Sequence, residues 1–176
     1  MSDSVASAAD EYFYDPVHSS ISFKVSHLEI SWIHGRFNKA EGTFVIDKQD
    51  PAKSSFQLSI DANSVDTANT ARDDHLRQPD YFDTKQFPTI DFKSTSVKPI
   101  KGGYEVTGDF TMHGKTKKIT LKMMGGKEAE FMGKKRVGFS TELSVKRSDF
   151  GFDKKNIGPA LGDEALIFID CEAAPK

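Results

Sequence analysis

Val137, Phe139, Thr141, Leu143 and Val145 alternate with Gly138, Ser140, Glu142 and Ser144, and no other feature of the chain limits its fold so sharply. A period of two sends the first set to one face of a strand and the second to the other, so this stretch builds a sheet with one side hidden from water. The pattern recurs. Ile21, Phe23 and Val25 alternate with Ser22, Lys24 and Ser26, and Phe56, Leu58, Ile60 and Ala62 alternate with Gln57, Ser59 and Asp61. Further strands are expected over Arg36 to Ile46, Ile90 to Pro99, Tyr104 to Met112, Ile119 to Met123 and Ala165 to Glu172. His27 to Gly35, which holds Trp32, reads as a loop, and Lys101-Gly102-Gly103, His113-Gly114-Lys115 and Gly125-Gly126-Lys127 read as tight turns.

About eight strands joined by short turns predict an all-β fold, a single antiparallel up-and-down β-barrel. No strand–helix–strand alternation is present that would build a parallel sheet. One segment breaks the rhythm: a short helical insertion near residues 69–78, carrying Arg72, Asp73, Asp74 and His75, is followed by Tyr81, Phe82, Phe87 and Pro88. An insertion of that kind suits a lid, or a polar anchor at the barrel mouth. The 14 phenylalanines include Phe23, Phe56, Phe92, Phe110 and Phe139 at inward parity, so the barrel interior is expected to be apolar.

Composition excludes several functions. Lysine plus arginine (24) nearly balance aspartate plus glutamate (26), which argues against a nucleic-acid partner. Lys115, Lys117, Lys118 and Lys122 alternate with Thr116, Thr120 and Leu121 and read as a solvated strand face. The single cysteine, Cys171, permits no intrachain disulfide and reads as a small buried apolar residue. No stretch approaches the roughly 20 apolar residues of a membrane-spanning helix. Residues 1–10 read as a disordered leader or linker remnant, which leaves 11–176 as the folded unit.

The motifs of common chemistries are missing. Five residues, not four, separate Gly108 from Gly114, and a strand follows the Gly-Lys-Thr, so this is no phosphate-binding loop. Gly138-Phe139-Ser140-Thr141-Glu142 lacks the second glycine of a nucleophile elbow. The histidines at 18, 27, 34, 75 and 113 show no metal-ligand spacing. Neither catalysis nor a metal or organic cofactor is expected.

Several ordered motifs resemble the YceI-like family. They are Asp15 to His27, Gly35-Arg36-Phe37, Arg72 to Leu76 with Tyr81-Phe82-Asp83 and Phe87-Pro88, Val106 to Thr116, and Arg147-Ser148-Asp149-Phe150-Gly151. The likeness implies a lipocalin-like barrel that binds polyisoprenoids or other long-chain amphiphiles, commonly in the bacterial periplasm or secreted, and often as a homodimer. The resemblance and the pattern agree on a non-enzymatic carrier of an isoprenoid lipid, either a polyprenyl phosphate or an isoprenoid quinone. Its tail would lie among Phe23, Val25, Leu58, Ile60, Leu76, Phe82, Phe92, Phe110, Leu121, Phe139 and Phe150, and its head against Arg36, Arg72 and His75. Asp73 reads as orienting an arginine or capping the helix. Two alternatives stay open: an enzyme acting on such a lipid, with His75 or His27 beside Asp73 or Asp74, and an interaction module with a solid core. Met123, Met124, Phe131 and Met132 gather around the Gly125-Gly126-Lys127 turn and suggest an outward apolar patch that a second copy would cover.

Overall fold

In a computed structural model, which describes residues 9–152, 155, 157, 158 and 160–176, the chain forms eleven strands and one short α-helix. The strands are β1 (Asp10–Tyr14), β2 (Ser20–His27), β3 (Ser31–Phe37), β4 (Ala40–Ile46), β5 (Ser55–Asp61), β6 (Val65–Asp66), β7 (Thr89–Ile100), β8 (Gly103–Met112), β9 (Lys115–Phe131), β10 (Lys134–Lys146) and β11 (Glu164–Ala174). The helix α1 spans Thr70–Leu76. Three pairs of these strands are single long strands interrupted once. Residues of β1 and β2 face residues of β4 and β3 in one antiparallel ribbon, from Asp10↔Ile46 to His27↔Ser31, and β5 with β6 continues along the next position. Counted that way the architecture is the expected eight-stranded up-and-down meander, each strand pairing with its sequence neighbours and β11 returning to β1 and β2.

Asp10 is the first residue of β1 and pairs with Ile46; residues 1–8 of the expected leader lie outside those described. Three local expectations need correction. The stretch from His27 to Gly35 is not a loop: only Leu28, Glu29 and Ile30 reverse the chain, and Trp32 sits in β3 opposite Ser26. Gly125 and Gly126 do not form a turn. They sit inside β9, where the register with β10 slips by one residue. A Cβ on Gly125 would lie 2.3 Å from the Gly138 carbonyl oxygen, so only glycine permits this bulge. The actual turn is Met132-Gly133, both with positive φ. Consequently Met123 points inward and is buried, whereas Met124, Phe131 and Met132 are exposed.

Inside the barrel the core divides into two apolar clusters. At one end Phe44, Phe56 and Phe139 pack ring against ring with centroids 5.5–6.2 Å apart, beneath the fully buried Tyr12. The Tyr12 hydroxyl donates to Glu128 Oε1 at 2.5 Å, and Lys48 Nζ lies 2.7 Å from the same oxygen. Burial, reinforced by that carboxylate, pushes the phenol above its ordinary pKa. The other cluster includes Ile21, Ile60, Phe110, Val145 and Phe152 and lies beneath α1. Between the clusters a glycine accommodates a ring: a Cβ on Gly108 would come within 2.6 Å of Phe92.

Barrel closure is incomplete on one flank. The β9–β10 ladder runs from the Met132-Gly133 turn to Met124↔Ser140 and stops, although β9 continues to Lys115 and β10 to Lys146. Just past the parting, the Thr141 hydroxyl donates to the Lys122 carbonyl at 2.9 Å.

Candidate functional site: an apolar tunnel with a polar mouth

The strands leave two adjoining chambers within the barrel, and only apolar surface is exposed in either. Phe56, Leu58, Phe92, Leu121 and Phe139 line the deep one, with Cys171 in its wall. Ile21, Phe23, Val25, Phe37, Phe82 and Phe152 line the outer one. Ile60, Ile90, Phe110, Leu143 and Ile169 border both and form a collar between them. A third cavity lies beside the insertion, walled by Val25, His27, Ile33, Arg72, His75, Leu76, Tyr81, Ala160 and Leu161. Val25 also lines the outer chamber, so the polar mouth and the apolar chambers are neighbours that meet at this residue. Positions open to the centre of a water-sized sphere total about 60 Å³ in the deep chamber, 80 Å³ in the outer one and 280 Å³ at the mouth. One such sphere needs about 10–15 Å³, so the interior is not solid, and its inner spaces are slender.

The insertion is clamped at the mouth through Thr67. Asn69 caps α1 by accepting from the Arg72 amide at 3.0 Å. Asp73, 8% exposed, accepts from the Thr67 amide at 2.8 Å and from its hydroxyl at 2.6 Å. Arg72 donates Nε to that hydroxyl oxygen at 2.7 Å and Nη2 to the Thr67 carbonyl at 2.8 Å. Asp73 therefore orients Arg72 through a shared threonine, not by a direct ion pair. Below it, Arg77 donates to the carbonyls of Asn63 and Val65 and ties the helix to β6. His75 Nε2 lies 2.8 Å from Asp80 Oδ2, with the Tyr81 ring edge-on at 4.9 Å. The carboxylates considered as acid–base partners of His75 are engaged elsewhere, Asp73 with Thr67 and Asp74 with Arg77.

Placement of the expected residues follows strand parity. Leu58, Phe92, Leu121 and Phe139 line the deep chamber, Phe23, Val25 and Phe82 the outer one, and Ile60 and Phe110 both. Leu76, Arg72 and His75 reach the mouth. Two do not join these spaces. Phe150 stands behind the wall, edge-on to Phe110 at 5.4 Å and 2% exposed. Arg36 lies between the inward Gly35 and Phe37, so its side chain is on the exposed outer face; the expected strand began at this residue, so Gly35 was not there to set its parity.

Sequence reasoning also missed Arg147, which lines the outer chamber although it is only 7% exposed. Its Nε and Nη2 donate to the Gly162 carbonyl at 2.9 and 2.6 Å, Nη2 also to the Leu161 carbonyl at 2.9 Å, and its guanidinium lies over Phe152 at 6.0 Å. Burial lowers its pKa, opposed by Asp163 and Tyr81. The signal was present: the inward series through Leu143 and Val145 arrives at Arg147 two residues later. Those bonds hold the 161–162 segment against the mouth.

A YceI-like domain model matches residues 12–173. "Protein YceI" of Escherichia coli is 39% identical over 151 residues, covering 85% of this chain and 78% of that protein. Among solved structures, BcnA of Burkholderia cenocepacia superposes with a TM-score of 0.80 at 26% identity, covering 90% of this chain and 98% of the other. A polyisoprenoid binding domain from Saccharophagus degradans shares the fold, with a TM-score of 0.69 at 18% identity, covering 94% of this chain and 98% of the other. None of the described helices is long and apolar enough to cross a membrane.

Proposed function

The chain belongs to the YceI-like domain family, and from that membership and the shape of its interior we propose that it is a non-enzymatic carrier of an isoprenoid lipid. The observation that carries this reading is the order of the spaces: a mouth walled by Arg72 and His75 adjoins, at Val25, two neighbouring chambers that expose only apolar surface. Each methylene moved from water into such surroundings gains about 0.8 kcal/mol, so a long branched tail is held strongly by burial alone. A charged or quinonoid head cannot enter that surface without losing its hydration. It stays at the mouth, where a guanidinium is available. A solved polyisoprenoid binding domain with the same barrel supports this choice of ligand. In this reading the lipid is the only non-protein component, and the protein works in the periplasm or outside the cell. We include a homodimer, supported by the apolar surface that Met124, Phe131 and Met132 leave uncovered at the far end.

Organic extraction of freshly purified protein followed by mass spectrometry tests the ligand class, and recovery of no isoprenoid from several hosts refutes it. Arg72→Ala then separates the head groups. Loss of a charge-assisted hydrogen bond, about 1.5–3 kcal/mol, weakens a polyprenyl phosphate by at least tenfold and leaves a neutral quinone nearly unchanged. Equal losses for both would make Arg72 only a strut that holds Thr67.

A further inference from the structure

Resting on the carrier reading, we propose that the β2–β3 hairpin tip docks the mouth onto a lipid bilayer, so that the tail passes between membrane and tunnel without crossing open water. Three large apolar side chains crowd this reversal and its exit: Leu28 is 50% exposed, Ile30 83% and Trp32 48%. Folding gains nothing from leaving them in water. The backbone is equally uneconomical, because Leu28 and Glu29 both hold positive φ, at 53° and 59°. Side-chain-bearing residues other than Asn and Asp rarely adopt that region, and a reversal of this kind ordinarily uses Asn or Gly. Exposure and backbone strain at one tip are independent, and both point to a role outside the free protein.

What the tip touches is indicated by where it stands. His27, at the root of the reversal, and Ile33, two residues further along the ladder opposite Val25, line the mouth, and the Leu28 amide donates to the carbonyl of Ala160, another mouth residue, at 3.4 Å. A surface that covers the tip therefore also covers the entrance. Lys24 Nζ sits 4.9 Å from the Trp32 ring and 5.6 Å from the Phe168 ring. This places an ammonium beside an amphipathic indole, the combination that settles at the boundary between headgroups and acyl chains. Glu29, exposed at the tip itself, argues against attraction by anionic lipid. The contact is apolar insertion, so neutral vesicles suffice.

Trp32 is the only tryptophan and reports the event directly. Titrating the whole protein with phosphatidylcholine vesicles should shift its emission to the blue and carry the protein down on sedimentation, with little change on adding salt. Ile30→Asn should weaken partitioning at least tenfold. Leu28→Asn, which suits positive φ, should raise the unfolding temperature while weakening partitioning, a combination that a structural role for Leu28 does not give. The inference is overturned if the wild-type protein stays in the supernatant with unshifted emission, if Leu28→Asn or Ile30→Asn partitions normally, or if light scattering shows that the tip instead joins two copies and Ile30→Asn separates them. Uptake of a fluorescent isoprenoid in vesicle-free buffer is measured in parallel. Normal uptake without vesicle binding defeats only the docking inference, whereas vesicle binding without uptake defeats the carrier reading.

Discussion

Thr67→Val probes the joint on which the mouth depends. Thr67 is 6% exposed, and its hydroxyl at once donates to Asp73 at 2.6 Å and accepts from Arg72 Nε at 2.7 Å. Valine keeps the shape and both backbone bonds but removes the oxygen. Asp73, buried, then has only the Thr67 amide of this pair of donors. The lost hydrogen bond to a carboxylate is worth about 1.5–3 kcal/mol, and the loss on the half-exposed Arg72 side adds roughly 0.5–1 kcal/mol, giving about 2–4 kcal/mol in all. For a urea slope of about 2 kcal/mol/M, the unfolding midpoint falls by about 1–2 M. Thr67→Ser retains the hydroxyl, drops one methyl and should lose no more than about 1 kcal/mol. Hydrogen exchange over residues 67–76 tells whether the loss is global or confined to the insertion. If valine loses less than about 0.5 kcal/mol, or serine loses as much as valine, the hydroxyl does not join the two charged side chains and the clamp is packing alone.

Three other outcomes are expected. His18, the Val17 amide and Arg136 hold the Asp15 carboxyl down to about 2. The stability this adds is complete above the unfolded-state pKa near 4 and disappears as pH falls toward 2, so Asp15→Asn should flatten the acid limb of the stability profile by on the order of 1–2 kcal/mol, and an unchanged limb would refute the assignment. Burial pushes the Cys171 thiol up to about 11; a thiol reagent at pH 8 should therefore modify it only as fast as the barrel opens, and labelling at the rate of a free cysteine would contradict its place in the wall. Gly108→Ala would press a methyl onto the Phe92 ring and the Lys93 carbonyl, losing about 1–3 kcal/mol by overpacking and narrowing the deep chamber, and a variant with normal stability and lipid occupancy would count against this tight approach.

Strand parity made the barrel legible, because a period of two holds wherever one face meets a core. It failed where local chemistry was ambiguous. Gly125-Gly126 serves a bulge as readily as a turn, and only the register of β10 distinguishes them. The Leu28-Glu29 reversal carries neither glycine nor asparagine, so the hairpin stayed hidden and Trp32 lost its face with it. Arg72 and His75 were legible because an insertion in a barrel has few places to go. The Thr67 clamp was not: it joins residues five and six positions apart through one hydroxyl, and nothing in a threonine's identity announces such a role. The grip of Arg147 on the 161–162 carbonyls likewise depends on a loop returning to the mouth.

The parting of β9 from β10 bears on the girth of the protein. In a barrel laddered all the way round, strand number and stagger fix the circumference, and widening it means breaking hydrogen bonds in series. Here the hoop is continuous near the Met132-Gly133 turn and cut between residues 115–123 and 141–146. Ile119 and Leu121 on one lip of that cut, and Leu143 on the other, line the deep chamber. The bore beside the cut is therefore set by side-chain packing, which yields by tenths of an ångström at small cost, while the laddered end keeps its diameter. A barrel built this way can take up variation in the thickness of whatever fills it along one flank, without unfolding a strand.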